Sequence, residues 1–149
     1  MYIPECTRLD NYAFIACYSL KTANFPNCSS MGPGVFRRCS QLTDISLPII
    51  TSIPAETFKL CSSLTNVNIP NNITAINTEA FNGCLIFSGF NTALPNCTLI
   101  GSSAFYNCYE LKSITANGSE IGSSAFFGCS ELSYVSFSNC TTIKSYAFQ

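Results

Sequence analysis

The chain has 149 residues, of which only 10% are charged, a net charge near −1, and no His or Trp. That balance excludes the basic footprint of a nucleic-acid binder and the charge-rich bias of a disordered segment. No apolar run approaches the ~18 residues that cross a bilayer, and Met1-Tyr2-Ile3-Pro4-Glu5-Cys6 shows no basic region followed by an apolar stretch, so neither a membrane span nor a signal peptide is expected.

The first complete unit carries Leu9, Phe14, Cys17, Leu20 and Ala23. The same spacing returns down the chain on Phe36, Phe58, Phe81, Phe105, Phe126 and Phe148, at intervals of 22, 22, 23, 24, 21 and 22 residues from Phe14. Three positions after each Phe stand Cys17, Cys39, Cys61, Cys84, Cys108 and Cys129. Leu20, Leu42, Leu64, Phe87, Leu111 and Leu132 follow, then Ala23, Ile45, Val67, Phe90, Ile114 and Val135. Five residues before each Phe lies another apolar anchor, Leu9, Met31, Ile53, Ile76, Ile100, Ile121 or Ile143. Three residues earlier is a second slot holding Cys6, Cys28, Ile50, Ile73, Cys97, Gly118 and Cys140.

Length variation is confined to the step that leads into that second slot. A fixed phase marks packed positions, where slippage would misplace every later side chain; a variable one marks a surface turn. The variable corner carries Pro26, Pro48, Pro70, Pro95 and Asn117-Gly118, residues whose φ preferences suit turns. Ile45-Ser46-Leu47 and Val67-Asn68-Ile69 alternate as half-buried strands do. Ala-Phe-x-x-Cys fits one helical or 3₁₀ turn, and the Thr/Ser-x-Ile step is a second short extended piece. One unit offers only six or so inward apolar side chains, too few to offset the entropy of ordering ~22 residues, so the units must stack. The expected fold is a parallel repeat solenoid, mostly β, of about seven rungs of 21–24 residues. It forms a single domain over 1–149, with incomplete rungs at both ends and scope for end-to-end self-association through them.

The motif Ile-Gly-x-x-Ala-Phe-x-x-Cys-x-x-Leu-x-x-Ile/Val-x-Ile/Leu-Pro resembles the BspA-like, or Treponema-type, class of leucine-rich repeat. Ile76 to Cys84 and Phe58 to Pro70 carry the match most closely. The resemblance implies a right-handed solenoid of the α/β leucine-rich-repeat class, with one continuous parallel sheet and short helical turns opposite. It also implies a surface or secreted adhesin-like protein that binds host proteins, matrix or other microbes.

Ten cysteines invite a metal or disulfide reading. All fall in the two columns above, and the second column also accepts Ile and Gly, which suits buried thiols as small hydrophobes. Disulfides and metal remain the lesser alternatives, since no Cys-x-x-Cys pair or His accompanies them. Mostly free thiols would suit a reducing compartment and, with no signal peptide, an intracellular location, against the surface location that the resemblance implies. Five Asn-x-Ser/Thr sequences, at Asn27, Asn72, Asn96, Asn117 and Asn139, share one phase. A structural asparagine corner accounts for them, with glycan occupancy of one or two sites as the alternative.

No residue pattern suggests catalysis. The carboxylates occupy scattered phases and no His is present to activate a hydroxyl. Arg37-Arg38 reads as a solvated pair. No enzyme, cofactor or metal site is expected. What remains is a face: the outward strand positions Asp44, Ser46, Asn66, Asn68, Ser113, Thr115, Tyr134 and Ser136, with Thr22, Asn24, Gly89 and Asn91 beside them. This flat polar grid is either a plain soluble surface or a docking strip for a protein or glycan. Tyr18, Tyr106 and Tyr109 form a second candidate patch. The readings are a protein-binding or adhesion module, an intracellular repeat scaffold, or a fragment of a longer array without a separate role.

Overall fold

A computed structural model describes residues 1–90 and 92–149. It is a parallel solenoid of about six turns, because seven Phe anchors bound six intervals. Each turn contributes two short extended pieces and one tight turn, and most pieces lie in register against their equivalents in the next rung, with one break in each strand ladder.

The first ladder is built on the apolar anchor before each Phe. Strands β1 (Arg8–Leu9) and β3 (Ser30–Met31) pair with each other. Strands β5 (Ser52–Ile53), β7 (Ala75–Ile76), β8 (Leu99–Ile100), β10 (Glu120–Ile121) and β12 (Thr142–Ile143) form a five-stranded parallel sheet in that order. The break between β3 and β5 has a residue-level cause. Elsewhere the ladder continues through Gly32 N–H to Leu9 O and Gly101 N–H to Ile76 O, each 2.8 Å. The equivalent donor above Met31 would be Pro54, which has no N–H.

The second ladder is the alternating strand. Strands β2 (Thr22–Asn24), β4 (Asp44–Ser46) and β6 (Asn66–Asn68) form one parallel sheet; β9 (Ser113–Ala116) and β11 (Tyr134–Phe137) form another. The single continuous sheet is therefore interrupted in the rung of residues 84–95. Phe87 and Phe90 there replace the smaller Leu and Ile or Val of other rungs. Their rings pack on Phe81 at 4.8 and 5.5 Å and on each other at 5.2 Å, edge-on. Gly89 bends between them with φ of 122°. The strand geometry yields to that aromatic cluster, and the ladder resumes through a bridge from Leu94 to Ala116. Asn91 lies outside the described residues.

The third side corrects the expected helical turns. Around each Phe, residues two before and two after take positive φ, as at Tyr12 and Ala16 (both 57°) or Glu79 (57°) and Gly83 (75°). A helix cannot run through such positions. The N–H groups of Tyr12, Phe14 and Ala16 instead donate across to Pro33, Val35 and Arg37 carbonyls at 3.0, 2.8 and 2.8 Å. The same triplet repeats at every interface to Gly128 N–H and Gln149 O, 2.7 Å. The turns are thus a third inter-rung ladder. The core between the three sides is one cluster, in which Phe36, Phe58, Phe81 and Phe105 are fully buried.

Candidate functional site

The strand-face residues arrive in two strips of four. In the first, register pairs Asp44 with Asn66 and Ser46 with Asn68. The Asn66 amide donates to Asp44 Oδ1 at 2.8 Å, and the Asn68 amide donates to Ser46 Oγ at 3.0 Å. Hydrogen bonds from the Thr43 hydroxyl and the Asn66 amide hold the Asp44 carboxyl below its ordinary range. Between these rails lies a shallow trough of about 270 Å³ with Ala23 and Ile45 in its floor. In the second strip, Ser113 pairs with Tyr134 and Thr115 with Ser136; Ser113 and Thr115 are exposed, and Tyr134 is 59% exposed.

The interrupted rung separates the strips and gives the face relief. A depression of about 320 Å³ lies against Asn66, Val67, Asn68, Phe90 and Thr92. Another of about 170 Å³ lies between Phe90, Leu94 and Ser113–Thr115. The expected flat grid is therefore two flat strips with a notch between them. Its chemistry is hydrogen bonding by amides and hydroxyls, with Asp44 the one carboxylate of the eight residues. Among the described residues no group of three or more His, Cys, Asp or Glu could hold a metal ion.

The turn side holds a feature that a residue-by-residue reading passes over. Arg37 Nη1 meets Glu56 Oε2 at 2.7 Å; Lys59 Nζ meets Glu56 Oε1 at 3.4 Å and also pairs with Glu79, to which the Asn82 amide donates at 3.3 Å. Arg37 is thus tied into an inter-rung chain of charges rather than freely solvated. The signal was present: each cation follows a Phe by one position, and each carboxylate precedes the next Phe by two. The Lys59 ammonium, as hydrogen-bond donor, holds the Glu79 carboxyl below its usual 4.5. A depressed carboxylate stabilises the fold above its unfolded pKa, and that contribution disappears as pH falls through the folded value. Stability should therefore be flat from neutral pH to about 5 and decline below about 4.5. Glu79→Gln should cost roughly 0.5–1 kcal/mol at pH 7, since the pair is partly screened, and should flatten the acid limb. Urea melts at pH 7 and 4 check this; an unchanged acid slope in the variant would refute it.

All ten cysteines are free thiols. Those after the Phe anchors are more than fillers. Cys39, Cys61, Cys84, Cys108 and Cys129 each donate S–H to the carbonyl of the Phe one rung back, at 3.0–3.1 Å. Burial pushes Cys39, Cys97 and Cys129 up to about 11, and Cys61, Cys84 and Cys108 well above the ordinary thiol range. In the corner column, the Asn139 amide donates to Asn117 Oδ1 at 2.5 Å and the Asn27 amide to Pro4 O at 2.8 Å. Those contacts give the asparagine corner a structural role. Of the tyrosines, Tyr18 and Tyr109 are exposed, while Tyr106 stacks on Phe127 at 4.8 Å.

No helix is long and apolar enough to cross a membrane among the described residues. Comparison with solved structures gives close fold matches. A leucine-rich cell surface protein from Faecalibacterium prausnitzii A2-165 superposes with a TM-score of 0.59 at 22% identity, over 99% of this chain. The T. pallidum leucine-rich repeat protein gives 0.65 at 19% identity, over 96% of this chain and 81% of its own. A leucine-rich repeat protein from Bacteroides ovatus gives 0.56 at 26% identity, over 96% of this chain and 32% of its own. The chain spans 57% of the length of the Faecalibacterium protein. No functionally curated protein matches it. The sequence profile of the BspA type leucine rich repeat region matches in six copies over residues 2–87 and 51–149. With that profile covering nearly every rung, the chain belongs to the BspA-type leucine-rich repeat family.

Proposed function

We propose that the chain is a non-catalytic binding module of a BspA-like surface protein. Asp44, Ser46, Asn66, Asn68, Ser113, Thr115, Tyr134 and Ser136 offer its docking face to a protein or glycan. The observation that carries this reading is the face itself. Two strips of outward hydrogen-bonding groups are held in fixed register on a continuous core, and solenoid proteins use such extended surfaces for binding. The notch at Phe90 and the exposed ring of Tyr134 add relief and an aromatic anchor to an otherwise small-side-chain surface. The likeness in fold to a leucine-rich cell surface protein of Faecalibacterium prausnitzii supports the surface location.

Surface plasmon resonance over immobilised extracellular-matrix proteins, with a glycan array in parallel, tests the reading. Asn66→Arg and Ser113→Arg place a bulky cation in each strip and should weaken any binding at least tenfold; Lys59→Gln on the turn side should leave it unchanged. Binding insensitive to both strip substitutions would move the site elsewhere. No binding by the parent chain to either panel would count against adhesion. The ten free thiols favour a second reading, an intracellular repeat scaffold; recovery of the native protein in the cytosolic fraction would support it. End-to-end association of rungs is a further proposal, measurable as concentration-dependent mass by analytical ultracentrifugation.

A further inference from the structure

The thiol column contains one pair that differs from the rest in access. Cys17 is exposed, whereas its partner one rung on, Cys39, is buried. Later members Cys61, Cys84 and Cys108 are buried and Cys129 is half-buried. Geometry brings Cys17 and Cys39 to the same point. The Cys17 backbone N–H and the Cys39 thiol both donate to Phe14 O, at 3.2 and 3.0 Å. The rungs are close there: the Phe14 and Phe36 rings, three residues before each Cys, stack in parallel with centroids 5.4 Å apart. In-register rungs at that spacing fall inside the Cα separation of roughly 4.4–6.8 Å that a disulfide spans.

We infer that Cys17 and Cys39 are a modification site: an inter-rung disulfide closed by low-molecular-weight disulfides. The reaction proceeds in two exchanges. The Cys17 thiolate attacks a disulfide RSSR, giving Cys17–S–SR and releasing one thiolate, which takes up the proton that Cys17 lost. The Cys39 sulfur then attacks the Cys17 sulfur, forming Cys17–S–S–Cys39 and expelling the second thiol with the Cys39 proton. Two protein thiols are oxidised and one RSSR is reduced to two RSH. Cys17 is the entry point because solvent reaches it. Cys39 is the resolving thiol because it is buried, out of reach of RSSR itself, and its S–H sits on the Phe14 carbonyl that the Cys17 N–H also bonds. Phe14 O keeps the Cys17 N–H as donor when the Cys39 S–H is consumed.

The other candidate pair, Cys6 and Cys28, is aimed differently. Each of those thiols donates within its own rung, to Arg8 O and Ser30 O, both at 3.3 Å. Closure at Cys17 and Cys39 links rungs whose residues are otherwise joined only by hydrogen bonds and packing, and shortens the loop available to the unfolded chain.

The test is to incubate the reduced chain with oxidised glutathione, trap remaining thiols by alkylation under denaturing conditions, and map peptides without reduction. The expected product is monomeric, lacks two hydrogens and carries a Cys17–Cys39 cross-linked peptide, with the other eight cysteines alkylated. Its Tm should rise by a few degrees and return on treatment with dithiothreitol. Cys39→Ser, which keeps a donor for Phe14 O, should stop at glutathionylated Cys17; Cys17→Ser should leave Cys39 reduced. Cross-linking at Cys6–Cys28 or Cys108–Cys129 first, intermolecular Cys17 dimers as the main product, or Cys17 left as the mixed disulfide in the parent chain would each overturn the assignment.

Discussion

Phe81→Ala should lower stability by about 3–5 kcal/mol, the upper range for removing a buried aromatic side chain. Phe81 is fully buried and has neighbours on every side. Its ring lies 5.2 Å from Phe58, 5.2 Å from Phe105, 4.8 Å from Phe87 and 5.5 Å from Phe90. Truncation therefore opens a cavity shared by the rungs above and below and removes aromatic pairs worth about 0.5–1.5 kcal/mol each beyond area burial. Because stability in a solenoid depends on nearest-neighbour interfaces, two of these weaken together. Phe14→Ala, at a half-buried position with stacking on one side only, should cost roughly half as much. Guanidinium unfolding followed by circular dichroism ranks the two; a Phe81→Ala shift below about 1 kcal/mol would contradict the description of the core.

Gly101→Ala should cost about 2–4 kcal/mol for a single methyl group. The added Cβ would stand 2.5 Å from Thr78 N and 2.6 Å from Asn77 C, both backbone atoms. It cannot be relieved by a side-chain rotation. Nor can the rungs part freely, because Gly101 N–H is bonded to Ile76 O at 2.8 Å. Gly122, one rung on, would meet Ser102 N at 2.4 Å in the same way. The same column accepts Pro54, Asn77 and Lys144, so the requirement is for close approach between particular rungs and not for a glycine conformation. Gly118→Ala is the contrast: its Cβ would first touch the mobile end of Ile121 at 3.4 Å, and stability should change by less than about 1 kcal/mol. Thermal melts of the two variants decide it; equal losses would remove the steric argument.

The columns of the fold were legible in the chain because packing is periodic. Phe, Leu and Ile at constant phase have one place to go, and they went there. The turns were harder. Ala-Phe-x-x-Cys has helical spacing, and positive φ at Arg38 (63°) or Leu60 (63°) is not announced by those residue types. Gly83, Asn107 and Gly128 at the equivalent position were the available hint. The sheet interruption was written in Phe87, Phe90 and the 24-residue interval, but aromatic volume in two slots says only that something must yield. The charge chain of Arg37, Glu56, Lys59 and Glu79 joins residues 19 and 20 apart, which a periodicity of 22 conceals until offsets within the rung are compared. The eight strand-face residues were read from alternation, because a strand with one buried face points its other side chains outward; in the last strand Val135, at the inward phase, is itself 40% exposed. Their division into two strips depended on the same aromatic bulk that broke the sheet.

The turn ladder also has an electrical consequence. At each of its interfaces three peptide groups point their N–H toward the following rung and their C=O toward the preceding one, from Tyr12, Phe14 and Ala16 through Ser124, Phe126 and Gly128. Aligned peptide dipoles sum, as they do along an α-helix, but here the sense is reversed. Donors accumulate toward the rung of Tyr146 and Phe148, and acceptors toward that of Tyr12 and Phe14. One side of the solenoid thus carries a macrodipole along its length, positive at its C-terminal pole, in a chain whose formal charge nearly cancels.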